Sequence, residues 1–161
     1  MTAPRACDTP ACKIAGFLAT LLGRRPPYLQ VGALCLRRNR AQDLEVLMIS
    51  SLRRGRWIIP KGWPMKGRSL AGAALREAWE EAGVHGKVSS RPIGRYHYDK
   101  ERAGGLPLRC EVRVFRVDVD HLDDDHPEAG RRKRHWMHPR EAAGLVDEPG
   151  LAALLEGLAP R

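Results

Sequence analysis

Residues 69–83, SLAGAALREAWEEAG, constrain the fold more than any other stretch of the chain. A serine that can accept a backbone N–H opens the stretch at Ser69, and Gly83 can close its last turn, so the spacing predicts a helix over residues 70–82. At about 100° per residue, Ala71, Leu75, Ala78 and Ala82 fall within an arc of about 60°. That stripe of mostly small side chains lets the helix lie close against a sheet. Glu77, Glu80 and Glu81 fall within an arc of about 100° on the far side. Like charges at these spacings destabilise a helix, and Arg76, one turn before Glu80, offsets only part of the repulsion.

The neighbouring segments supply the sheet. Residues 29–36 and 44–49 are short runs rich in Val, Leu and Ile, joined by a polar link over 37–43 that suits a hairpin. Residues 57–59 form a third short strand ended by Pro60, and residues 94–99 and 108–119 form two more. In the last of these, Cys110, Val112 and Val114 alternate on one face, while Val117 and Val119 continue in the opposite phase. A bulge or an exchange of the buried face is therefore expected at Phe115-Arg116. Residues 139–145 and 148–158 read as helices. The whole is an α/β pattern, a mixed sheet covered by helices.

Three convergent carboxylates beside a Gly-bearing loop match the oxygen donors that a hard divalent cation takes when it bridges a protein to phosphates. The other reading of the same face is a solvated Glu-rich surface paired to Arg76. Residues 62–84 resemble the Nudix box, G-x5-E-x7-R-E-U-x-E-E-x-G-U with U apolar: Gly62 opens it, and Arg76-Glu77-Ala78-Trp79-Glu80-Glu81-Ala82-Gly83-Val84 completes it with every spacing kept. One position departs from the pattern, since Arg68 stands where the box has its first Glu. The resemblance implies an α/β/α sandwich and hydrolysis of a phosphoanhydride. It implies that Glu77, Glu80 and Glu81, with the Gly62 carbonyl, hold Mg²⁺ or Mn²⁺. Glu81 is then expected nearest the attacking water and as its base, with Arg76 orienting the glutamates; Glu101 or Glu128 is the alternative base. Arg68 leaves open a Nudix domain that binds its ligand without turnover.

Residues 50–62, SSLRRGRWIIPKG, are similar to the corresponding stretch of diphosphoinositol polyphosphate phosphohydrolases, where Ser-Ser-x-Arg precedes W-x-x-P-x-G. P-K-G is also found in the related diadenosine polyphosphate hydrolases. The similarity implies that Ser50, Ser51, Arg53, Arg56 and Lys61 bind a phosphate-dense substrate. Arg54 belongs to the same basic cluster. Arg95, His97, Lys100 and Arg102 form a second basic set, and residues 131–135, RRKRH, a third that is expected to be a solvated charge run. Trp57 is expected in the core, and Trp63 is a candidate for stacking.

The net charge of +9 fits a polyanionic partner, and of the 28 Lys and Arg residues six are Lys, so 22 are Arg, whose planar fork grips phosphate. An RNA partner would rest on that charge alone, since no nucleic-acid recognition motif is present. No apolar run approaches the roughly 20 residues of a membrane span. The apolar run over 14–22 resembles a signal-peptide core only in part, because Gly23-Arg24-Arg25-Pro26-Pro27 stands where a cleavage site belongs. Cys7, Cys12, Cys35 and Cys110 form no C-x-x-C pair, and the last two lie in apolar runs. A reducing cytoplasm is therefore expected. The chain divides into an extension over residues 1–27 and one domain over 28–161; no feature sets an oligomeric state.

Overall fold

The computed structural model of the protein describes residues 25–158. Most of the expected extension, including the apolar run over 14–22 with Cys7 and Cys12, lies outside the described residues. Strand β1 (Tyr28–Arg38) runs parallel to β7 (Gly105–Leu122), paired from Tyr28 with Cys110 to Leu36 with Asp118. It pairs antiparallel with β2 (Leu44–Ser50) at one end and with β4 (Lys61–Gly62) at the other. β3 (Trp57–Ile58) and β8 (Arg134–Met137) add to β2, while β5 (Val84–Val88) and β6 (Gly94–Arg102) add to β7. Both parallel and antiparallel neighbours occur, so the eight-stranded sheet is mixed.

Two cores sit on its two faces. On one, helix α1 (Leu70–Ala82) presents Ala71, Ala74, Ala78 and Ala82 to Val31, Ala33, Cys35, Leu47, Ile49, Phe115 and Val117. On the other, α2 (Pro139–Leu145) and α3 (Pro149–Glu156) cover Leu34, Leu36, Val46, Met48, Tyr96, Cys110, Val112 and Val114. β1 is buried on both faces and therefore reads as an unbroken apolar run instead of an alternation. The same logic explains β7. Its pairing with β1 passes Phe115 without a shift, so Val114 and Phe115 are neighbours that enter different cores. The phase change in the sequence is an exchange of buried face; the register shifts along β7 lie elsewhere, opposite His85/Gly86 of β5 and Lys100/Arg102 of β6.

The helix runs over the residues its caps indicate. Ser69 Oγ accepts the Gly72 N–H at 3.0 Å, and Gly83 closes the last turn at φ 68° with its N–H on Trp79 O at 2.8 Å. A side chain at Gly83 would also strike Asp123 O, whose strand end packs there. The helix is rotated from its expected setting. Ala73 and Ala74 are fully buried and Leu75 only partly so, and the buried arc extends as far as Glu81. The carboxylates thus do not all face away from the sheet; Glu81 lies at the edge of the buried face. Strands β4, β5 and β8 were not expected. β8 overturns the reading of residues 131–135 as a solvated run, because Arg134 begins a strand paired with Ile49.

Candidate active site

A cleft of about 550 Å³ is lined by the loop between β2 and β3, by β4, by Glu77 and Glu81 of α1, and by residues 98–101 of β6. Backbone geometry sets its acidic side. The Glu77 carboxylate sits directly against the Cα of Gly62, where any Cβ would collide with it. Only glycine admits this approach. Glu81, 8% exposed, accepts the Lys61 N–H at Oε2 (3.0 Å) and the Arg132 guanidinium at Oε1 (2.7 Å). β4 and α1 are locked together at the point where the two carboxylates meet the cleft.

Arg132 is the residue that the sequence reading missed. Its side chain is 7% exposed, and it joins Glu81, Glu128 and the Ser50 carbonyl. Glu128 in turn donates its N–H to Glu80 O at 3.1 Å, and His126 Nδ1 lies 3.1 Å from the same oxygen. Arg134 extends the tie to Ala82 O and Asp123 O. Arg132 of the supposed charge run is therefore part of the wall of the site, and Arg134 braces it from behind. Burial pushes the Glu81 carboxyl up to about 7, against the opposing pull of Arg132 and the Lys61 N–H. Burial, with Glu80 and Glu128 nearby, raises Glu77 as well.

Oxygens of Glu77 and Glu81, with the Gly62 backbone carbonyl, make the kind of donor set that a hard cation takes. The donor chemistry and the side-chain-free approach at Gly62 fit a divalent metal. Among the described residues, however, no three His, Cys, Asp or Glu side chains are gathered for one ion. Glu80 is turned to another partner: its Oε1 accepts from Arg76 Nε at 2.6 Å. Arg76 orients Glu80 alone of the three glutamates, and its guanidinium stacks over Trp79 at 4.3 Å.

The expected phosphate binders divide. Ser51, Arg53, Arg56 and Lys61 line the cleft. Ser50 does not: it is buried, with its Oγ accepting the Lys133 N–H at 2.8 Å, and it serves the β2–β8 connection. Arg56 is held by Asp147 at 2.9 Å and lies 3.4 Å from Glu148, while Arg54 pairs with Glu101 across the mouth. Arg53, Lys61 and Lys100 carry no carboxylate partner among the described residues, and Lys100 lies 4.7 Å from the Trp63 ring. Of the second basic set only Lys100 reaches the cleft. Arg95 and His97 face Glu111 at 3.5 and 3.3 Å, and Arg102 belongs to a different groove with Arg109. Trp57 packs against the core as expected, and Trp63 stands in the cleft wall.

Arg68 lies outside the cleft, in a groove on the outer side of α1 with Arg76 and Trp79. Replacing it therefore leaves substrate binding alone. Arg68→Glu is expected to keep KM within about twofold and, by setting a carboxylate beside the helix N-terminus, to raise the melting temperature slightly. Steady-state kinetics beside a thermal melt check both; a sharp rise in KM would place Arg68 on the substrate.

With fold and site in view, the comparisons agree on one class. The chain belongs to the Nudix family, whose NUDIX domain matches residues 28–156. Over 120 residues it is 36% identical to Nudix hydrolase 12, mitochondrial, of Arabidopsis thaliana, covering 70% of this chain and 57% of that protein. Over 134 residues it is 34% identical to diphosphoinositol polyphosphate phosphohydrolase 3-alpha of Mus musculus, covering 80% of this chain and 76% of that protein. The match takes in little more than half the length of the Arabidopsis relatives. The solved C. elegans Ap4A hydrolase has the same fold, with a TM-score of 0.58 over 81% of this chain and 95% of that one, at 22% identity.

Proposed function

We propose that the protein is a pyrophosphohydrolase that cleaves a phosphoanhydride bond of a phosphate-dense small molecule, a diphosphoinositol polyphosphate or a dinucleoside polyphosphate. The observation that carries this reading is the meeting of two charge regimes in one cleft. The Glu77–Gly62–Glu81 corner is acidic and partly buried, and three cations without carboxylate partners among the described residues, Arg53, Lys61 and Lys100, line the same cleft. A polyphosphate needs both: cations for its oxygens and an acidic corner at the bond to be cut.

Glu77 and Glu81, with the Gly62 carbonyl, would hold Mg²⁺ or Mn²⁺, and Glu80 joins them once Arg76 releases it. When bound, the metal supplies polarisation of the phosphoryl oxygens and a lowered pKa of a water. The protein's own part is position and proton transfer. The Lys61 N–H and Arg132 fix both oxygens of Glu81, so its carboxylate keeps one position at the acidic corner. Glu128 stands behind it on the same arginine, and Glu101 is engaged with Arg54 at the mouth. We take Glu81 as the base, since it is the one of the three that lines the cleft beside Gly62.

A hydrolysis panel tests the reading: diphosphoinositol polyphosphates, diadenosine polyphosphates and nucleotide sugars, each with Mg²⁺ or Mn²⁺. Arg53 refines it. A charge-assisted contact contributes roughly 1.5–3 kcal/mol, about one to two powers of ten. Arg53→Ala is expected to lower kcat/KM that much for a phosphate-dense substrate and far less for a nucleotide sugar, with a steeper salt dependence for the former. Equal losses on both would make Arg53 a support for the loop and remove it from substrate selection.

A further inference from the structure

Strand β1 is apolar from Val31 to Leu36, yet Gln30 on the same strand is 2% exposed. A buried carboxamide needs a partner, and its Oε1 accepts the Tyr98 hydroxyl at 2.6 Å. Tyr98, on β6, is 8% exposed, so its ring is pinned at both ends, by strand pairing with Cys110 and by Gln30. The face of that ring carries the Lys61 ammonium, 5.0 Å from the centroid. All three residues line the cleft. Lys61 thus has two contacts with different tasks: its backbone N–H holds Glu81, while its side chain rests on Tyr98 and forms no ion pair with that carboxylate.

We propose that Tyr98, fixed by Gln30, is a positioning residue for Lys61: the ring keeps the ammonium off the acidic corner and presents it to a phosphate of the substrate. The proposal rests on reading the cleft as a phosphate site. A four-carbon side chain beside a carboxylate would otherwise fold onto it, neutralising the corner and losing a cation for the substrate. The ring prevents both, because its face attracts the ammonium without neutralising it. Gln30 steadies the hydroxyl end of the ring, and the strand pairing at Cys110 holds the other end, so the ring face keeps its place even without the hydroxyl.

The test is a double-substitution cycle read by calorimetric binding of inorganic tripolyphosphate at low salt, using the full chain. Lys61→Met is expected to weaken binding about tenfold or more. Tyr98→Leu is expected to weaken it about tenfold in the parent and not at all in the Lys61→Met background, whereas Tyr98→Phe, which keeps the ring, loses much less. Equal effects of Tyr98→Leu in both backgrounds, an equal loss from Tyr98→Phe, or failure of the parent to bind tripolyphosphate would each overturn the proposal. Should Tyr98→Leu fail to fold, NMR of the parent and of Tyr98→Phe decides: the ring is expected to shift the Lys61 ε-methylene protons upfield in both, and unshifted protons contradict it. Coupling without hydrolysis of any panel substrate would sink the hydrolase reading alone. Hydrolysis without coupling would sink the positioning role alone.

Discussion

Glu81→Gln abolishes turnover while the protein stays folded. Loss of the proposed base and of its charge is expected to lower kcat by about 10²–10⁴-fold. The amide can still accept the Lys61 N–H, so β4 and α1 remain joined, but it cannot also receive Arg132 as a carboxylate does. Stability moves the other way as pH rises. Burial holds the Glu81 carboxyl at about 7 in the folded chain against 4.5 for the ordinary group, so folding favours its protonated form. That contribution is full below about pH 4.5 and is lost as pH climbs through about 7, a span worth about 3 kcal/mol. In urea unfolding of the metal-free protein, Glu81→Gln should lack this decline and gain on the parent between pH 5 and 8. A variant with near-normal kcat would remove Glu81 from the chemistry.

Arg132→Met carries the largest expected loss of stability. The guanidinium is the shared partner of two carboxylates, Glu81 and Glu128, and removing it leaves charge in a nearly closed wall. Breaking a buried pair from one side costs about 3–5 kcal/mol, which for a chain of this size lowers the melting temperature by roughly 10–15 °C. The deficit should shrink at pH 5, where Glu81 takes up a proton, and kcat should fall because Glu81 keeps only the Lys61 N–H. Melts of parent and variant at pH 5 and 8, beside the rates, check this. A fall of only a degree or two at pH 8 would mean that Arg132 is as solvated as the charge run it resembles.

The box, the helix and its caps, and both terminal helices are legible in the sequence because each depends on local chemistry. Ser69 and Gly83 terminate α1 with their own backbone and side-chain bonds, and nothing distant alters that. Non-local pairings were harder to read. β4 is two residues long and exists only because β1 runs beside it, and β5 begins immediately after the helix cap. The role of Arg132 was available in principle. Read with period two, residues 131–136 place Arg132, Arg134 and Trp136 on one face, and those three are the less exposed ones. Charge in the run masked the alternation. The setting of α1 was also open to a fuller wheel, since Glu81 lies seven residues after Ala74, about 20° away on the helix surface. Ser50 and Gln30 mark the limit: which polar residue on a strand turns inward toward a bond depends on partners more than 60 residues distant.

The proposed role of the Glu77–Gly62–Glu81 corner is to cut a phosphoanhydride with a divalent metal. Its most direct measurement is phosphorus NMR of the parent protein with a diadenosine polyphosphate and with a diphosphoinositol polyphosphate, each with Mg²⁺ and then with excess chelator. The account predicts cleavage of a P–O–P bond in at least one of them, stopped by the chelator and restored by added metal. Folded, metal-supplied protein that leaves both intact, or that cleaves them equally with chelator present, contradicts it.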